Sequence, residues 1–485
     1  MTTLEDLRIR EAGLLSQVQA LDSERRRLES SLADVRVHMA DVQGANRNAI
    51  TYNLPVETLT TIFEIGHLEP LSLVTKPAKR FAGDNWSPLS PPFEIVVSSV
   101  SRRWRNIALK TPRLWTHIYI NIAQSAHELL DLYLCRSKMC LLDITLSRRM
   151  LRWECDRDVE ACDCRDSFKL KGYLELLVPH VGRWRGFNIR RDDSSLQLSH
   201  VFAGLSNLNA PALETLMLEG YDIGSFKKIF SAGAPRLSSV ELIGVSCLPP
   251  LEAVKHLKLD GRSSVFRLTH AQFRHLIQPM RSLVNLHLES SMVSESPAGR
   301  LPINLPSVIS FEIDINNCLV GDGVLPVLDL PSVETLTIHG DMDHAIETFT
   351  HRLYPNVQNL KIVGSSEYVC EAESPAATKE FVSLFPSVQD IAFHGVNPTP
   401  IVHALYGSST DELHWPQLSS VTIIPHKRAK ISYKRQVCSD IIDLVKRRAF
   451  LGHPISTVKL PSEMVVCGTQ RQQQKLKEQV ILIEC

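Results

Sequence analysis

The sequence predicts a mixed α/β chain in three stretches: an N-terminal coiled-coil helix over residues 1–45, a small helical module over 46–116, and an irregular solenoid with a parallel strand layer over 117–485. Three observations lead there. An apolar heptad runs through the first stretch, two short helical patterns flank a proline-rich segment in the second, and one strand-like phrase recurs nine times from residue 211 onward.

The bulk composition sets the limits. A chain of 485 residues exceeds the roughly 250–300 at which a single core stops growing, so more than one folding unit is expected. Lys plus Arg and Asp plus Glu both number 53, which leaves no net field to draw the chain to nucleic acid or to an anionic membrane. The opening residues MTTLEDLRIR lack the apolar core of a signal peptide, and no stretch approaches the roughly eighteen apolar residues of a membrane span. Eleven scattered cysteines, an odd number without paired spacings, fit reduced thiols better than a disulfide framework. A cytoplasmic or nuclear protein is the resulting expectation.

In the first stretch Leu7, Leu14, Leu21, Leu28, Val35 and Val42 recur every seven residues, and Leu4, Val18, Leu32 and Met39 fill the companion position. A period of 3.5 makes a narrow stripe that is buried only when another helix packs on it. Glu11 and Arg25 interrupt the companion series, which suits a modest two-stranded coil. The stripe either self-associates, packs on a partner, or folds back on its own chain. With only three residues ahead of Leu4, there is no basic region of the kind a DNA-binding zipper needs.

The module opens at Leu54-Pro55, where proline suits the first turn of a helix because its missing donor would have no helical partner. Leu59, Ile62 and Phe63 then share a face by helical spacing. Residues 67–92 hold five prolines without a regular period and read as a loop. A second helical pattern spans Glu94 to Leu109, with Val97, Val100, Trp104 and Ile107 on one face, and Thr111-Pro112 ends it.

The first helix resembles the LPxExLxxIF opening of an F-box, and Val100 to Ala108 with the exit Thr111-Pro112-Arg113-Leu114-Trp115 resembles its second half. Two departures stand out: the loop between the halves is longer and richer in proline than in a compact F-box, and Ser101 stands where many members have cysteine. The resemblance implies a helical module that binds a Skp-family adaptor and thereby a cullin-based ubiquitin ligase. It assigns that interface to Leu54, Pro55, Leu59, Ile62, Phe63, Val100 and Trp104.

The recurring phrase is a proline or polar residue, an apolar residue two later, then two apolar residues alternating with polar ones, often closed by glycine. It first reads Pro211, Leu213, Leu216, Leu218, Gly220, and its later strand pairs are Val240 with Leu242, Leu257 with Leu259, Leu286 with Leu288, Phe311 with Ile313, Leu336 with Ile338, Leu360 with Ile362, Ile391 with Phe393, and Val421 with Ile423. A unit of this size cannot bury its own apolar pair, so the units must stack. The spacing and phrasing are leucine-rich-repeat-like but irregular. Leu114 to Ile122, Leu141 to Leu146 and Trp184 to Ile189 read as earlier strands, and Thr457 to Leu460 and Val480 to Ile483 as a closing cap. Outward strand positions, among them Met217, Glu219, Glu241, Lys258, His287, Glu289, Glu312, Thr337, His339, Lys361 and His394, carry mixed charge. Such a face is expected to hold a target protein.

Motifs for chemistry are absent from the sequence: no Gly-rich phosphate loop, no GxSxG elbow, no HExxH helix. Cys155, Cys162 and Cys164 with His180 lack zinc-ligand spacing, so no metal and no cofactor are expected. The basic run His426 to Arg448 reads as a solvated loop and helix face, since aromatic interleaving is sparse. The expected protein is a non-enzymatic adaptor of a ubiquitin ligase. Its competitor is a repeat scaffold that dimerises through the heptads and has no ligase role.

Overall fold

The computed structural model describes residues 4–48, 54–75, 92–122, 126–148, 169–191, 198–220, 227–261, 268–289, 292–293, 302–316, 324–349, 353–364, 375–406, 413–426, 429–467 and 480–484. The fold is mixed α/β and divides into two compact units, Met1–Trp115 and Thr116–Cys485.

The first unit begins with one 45-residue helix, α1 (Leu4–Asn48), whose residues 4–39 are all exposed. Leu7, Leu14, Leu21, Leu28 and Val35 of the heptad stripe are each more than half exposed; Val42 lies in the helix, its side chain outside the described residues.

Three further helices follow, α2 (Val56–Thr75), α3 (Phe93–Val100) and α4 (Arg102–Lys110), closed by a 3-10 turn at Pro112–Trp115. Their shared core is Leu59, Phe63, Val97, Ile107, Ala108, Leu114 and Trp115. The second helical pattern, read from the sequence as continuous, is split. Ser101 is extended (φ −156°, ψ 166°) and its hydroxyl accepts a hydrogen bond from the Trp104 amide at 3.1 Å, so it ends α3 and N-caps α4. Ser101→Ala is therefore expected to cost about 1 kcal/mol, and Ser101→Asp to keep most of it, read from the urea midpoint and from amide exchange over α4. The loop expected from residue 67 also starts later, because α2 continues through Thr75. Gly66 brings the helix so close to Phe93 that a Cβ there would lie 2.7 Å from the ring, and buried His67 pairs with buried Glu94 at 3.5 Å. These contacts hold the helix past Phe63 despite Pro70. Residues 76–91, the remainder of the proline-rich segment but for Pro92, lie outside the described residues.

The second unit is organised by one fourteen-stranded sheet whose strands follow in chain order: β1 (His117–Asn121), β2 (Leu142–Arg148), β3 (Trp184–Arg191), β4 (Thr215–Glu219), β5 (Ser239–Ile243), β6 (His256–Asp260), β7 (Asn285–Glu289), β8 (Ser310–Asp314), β9 (Thr335–His339), β10 (Asn359–Val363), β11 (Asp390–His394), β12 (Ser420–Ile424), β13 (Thr457–Leu460) and β14 (Ile481–Glu484). Every neighbouring pair is parallel, as the sequence predicts, and all nine apolar strand pairs read from it are buried. Register aligns them into two apolar rows, one running Leu216, Val240, Leu257, Leu286, Phe311, Leu336, Leu360, Ile391, Val421, Val458. Each row shields on one face what no single strand can bury alone.

The structure explains the proline of the phrase. In Ala210–Leu213, Ala234–Leu237, Leu305–Val308, Leu330–Val333, Tyr354–Val357, Phe385–Val388 and Trp415–Leu418 the fourth amide donates to the first carbonyl, and proline holds the second place. Proline presets the backbone for that position of a β-turn, so each turn tucks its first and fourth apolar residues inward just before the strand. The closing glycine has its own reason. Gly244 sits at φ +65° and Gly395 at φ +72°, and a Cβ would come within 2.4 Å of the Gly220 carbonyl oxygen and 2.8 Å of the Gly364 carbonyl oxygen respectively. Only glycine takes this left-handed turn while the backbones of successive units approach so closely.

The basic run differs from its solvated reading. Its helix, Ile431–Phe450, buries Lys434 against Glu463 at 2.9 Å, and buries Arg448 completely, with guanidinium hydrogen bonds to the carbonyls of His414 (2.8 Å) and Trp415 (2.5 Å). Among the described residues no helix is long and apolar enough to cross a membrane.

Candidate functional site

Two surfaces, one in each unit, carry the candidate residues. In the helical unit the sequence-predicted set separates by burial. Leu59 and Phe63 are 1% exposed and belong to the unit's own core, where the Phe63 ring packs tilted on Trp104 with centroids 4.9 Å apart. Trp104 is half-buried. Leu54 is half-buried, its carbonyl accepting from Arg103, while Pro55 is exposed and its carbonyl accepts from the Leu59 amide at 3.1 Å. Ile62 and Val100 are the outward members, at 46% and 58% exposure.

They do not stand alone. Ile65 lies three residues after Ile62 on α2, and Val96 four residues before Val100 on α3, both exposed, so each helix presents an adjacent aliphatic pair to solvent. Single exposed aliphatics are ordinary on a protein surface; here each helix sets two of them side by side. Ile65 and Val96 were readable from their i,i+3 and i,i+4 spacing to residues already singled out.

In the sheet unit the outward strand residues form rows by register. Glu241, Lys258, His287, Glu312, Thr337 and Lys361 occupy one row, all half-buried. Met217, Glu219, His339 and His394 are also half-buried, whereas Glu289 at the end of β7 is buried. Two charge clusters stand on this face. Glu312 lies between His287, whose Nδ1 is 3.1 Å from one carboxylate oxygen, and His339, whose Nε2 hydrogen-bonds the other; the two rings stack with centroids 5.8 Å apart. Burial pushes the Glu312 carboxyl up, but the hydrogen bonds and charges of His287 and His339 outweigh it and hold the group well below its ordinary value. A folded-state pKa below the unfolded one means the unfolded chain takes up the proton first. The stability from Glu312 is therefore full above the ordinary carboxylate range and drains as pH falls through and below it. Glu312→Gln is expected to lower the melting temperature at neutral pH, where the carboxylate contributes fully, and to converge on the native chain as pH falls, which flattens the acid limb of a melting-temperature profile.

The second cluster rests on a β-bulge. Leu142 and Asp143 of β2 oppose Trp184 and Gly186 of β3, which leaves Arg185 as the extra residue. The bulge turns Arg185 onto Asp143, with its Nε at 3.0 Å, and His117 Nε2 reaches the same carboxylate at 2.9 Å. Burial raises the Asp143 carboxyl; His117 and Arg185 lower it further, so the net direction is down. Gly186 leaves the space this requires, since a Cβ there would sit 3.0 Å from both Asp143 Oδ1 and Thr215 Oγ1. No sequence signal joins residues 42 positions apart through a bulge, and this cluster is visible only in the fold.

Among the described residues no group of three or more His, Cys, Asp or Glu side chains is placed to hold a metal ion. Cys155, Cys162 and Cys164 lie outside the described residues. No family model matches the chain, and no curated protein matches its sequence.

Proposed function

We propose that this protein is a substrate-recognition adaptor of a cullin-based ubiquitin ligase. Its helical unit docks on a Skp-family adaptor in the manner of an F-box, and its sheet unit, a leucine-rich-repeat-like solenoid, holds a target protein on the strand face. The observation that carries the reading is the pair of exposed aliphatic couples, Ile62 with Ile65 and Val96 with Val100, on a unit whose core is already filled by Leu59, Phe63, Val97, Ile107 and Trp115. Burying such aliphatics against a partner is worth about 25 cal/mol per Å² of apolar surface removed from water. The solenoid reading is supported by the one-strand-per-unit sheet in strict chain order, the proline turn before the strands and the glycine closure after them. Repeat arrays of this kind bind partners along their strand surface.

The protein itself transfers nothing in this role; catalysis belongs to the assembled ligase. The test is a titration of the full chain with a purified Skp-family adaptor, followed by recovery of the cullin on the same complex. Saturable binding that Ile62 and Val100 control supports the docking role. A chain that binds no Skp-family adaptor while remaining folded is a repeat scaffold instead.

A further inference from the structure

The helix α1 leaves its heptad stripe exposed over residues 4–39, and a shallow recess on its surface is lined by Leu21, Glu24, Arg25, Leu28, Glu29 and Leu32. In heptad terms Leu21 and Leu28 take the d position and Arg25 and Leu32 the a position, with Glu24 at g and Glu29 at e. The two residues that break the apolar series are both at a, and each follows a g residue of opposite charge: Glu11 follows Arg10, and Arg25 follows Glu24. This placement selects an occupant for the stripe. In a parallel coiled coil an a side chain enters a hole whose wall includes the g residue one position earlier on the facing helix. A second copy in register therefore sets its Arg10 beside Glu11 and its Glu24 beside Arg25.

We propose that α1 pairs with α1 of a second copy of this chain as a parallel, in-register, two-stranded coiled coil, with Glu11 and Arg25 neutralised across the interface by Arg10 and Glu24. The arginine also answers the one unfavourable edge of that arrangement. Glu24 of one copy would lie near Glu29 of the other, and the Arg25 layer supplies the opposite charge between them. Among the described residues Arg25 pairs with Asp22, at 3.5 Å with both groups largely exposed, a pairing too weak to hold it back. Two strands suit charged a residues better than three or more, because a long side chain in a two-stranded coil still extends its charged end to the solvent edge. The inference is independent of the docking role. Its consequence is a particle with two strand faces, so that a target with two recognition segments is bound with avidity exceeding either contact.

The experiment is analytical ultracentrifugation of the full chain across the micromolar range, with Arg25→Glu and the double variant Glu24→Arg, Arg25→Glu beside it. Both substitution sites, Glu24 and Arg25, are exposed, and circular dichroism checks that helix content is kept. The expected native mass is twice the 54.5 kDa of one chain. Arg25→Glu sets glutamate against glutamate on both sides and weakens association about tenfold, and the double variant recovers it. A native chain that stays monomeric, a mass of three or more chains, or a double variant no better than the single one overturns the proposal.

Discussion

Ile62→Asp combined with Val100→Asp is expected to abolish capture of a Skp-family adaptor while leaving the helical unit folded. Both side chains are about half exposed, so a carboxylate at either site stays hydrated in the free protein and costs little stability. At a covered interface the same carboxylates would be desolvated without partners, a penalty of several kcal/mol and a loss of affinity on the order of a hundredfold or more. Phe63→Ala provides the contrast. At 1% exposure and packed on Trp104, its loss opens a cavity worth about 3–5 kcal/mol, so binding would fall together with helix content. Titration of both variants, each monitored by far-ultraviolet circular dichroism, separates contact from scaffold. Undiminished affinity in the folded double aspartate variant would move the docking surface elsewhere.

Arg448→Ala is expected to destabilise the sheet unit by about 3–5 kcal/mol, the largest effect of any single polar residue discussed. The side chain is fully buried, and its two guanidinium hydrogen bonds satisfy consecutive carbonyls at His414 and Trp415, just ahead of β12. Truncation leaves both carbonyls without these donors and empties the volume that held the side chain. Arg448→Met refills most of that volume and removes the cost of a buried charge, so it should lose less, about 1–3 kcal/mol. Urea denaturation of the two variants tests the ordering. An alanine variant as stable as the methionine one would show that refilling the volume gains nothing, and that carbonyl satisfaction, not packing, is what Arg448 contributes.

Much of the architecture could be read from residue order because it depends on local spacing. Pairs such as Phe311 with Ile313 and Ile391 with Phe393 announce strands by a period of two, and stacking is forced once each unit exposes an apolar pair it cannot bury. The turn at Trp415-Pro416-Gln417-Leu418 and the glycines at 244 and 395 are equally local, since proline and glycine each serve one backbone geometry. The cap at Ser101 was legible in the same way, though the apolar spacing of Val97, Val100, Trp104 and Ile107 ran across it and read as one helix. For the proposed docking surface, helical spacing grouped Leu59, Ile62 and Phe63 together. Spacing defines which residues share a face, while only the packing of α3 and α4 decides that Phe63 turns inward and Ile62 outward.

The amino-acid order thus settles the strand phrase, the heptad and the two helical halves, because each is enforced by neighbours a few residues away. Tertiary structure alone decides the rest, since the interactions that matter there join distant positions. It carries α2 past Pro70 through the contacts of Gly66 with Phe93 and His67 with Glu94. It buries Arg448 inside a run that reads as solvated, and it gathers His117, Asp143 and Arg185, or His287, Glu312 and His339, from separate strands into single clusters. Charge and burial at those points are properties of the register between strands, which no stretch of sequence contains by itself.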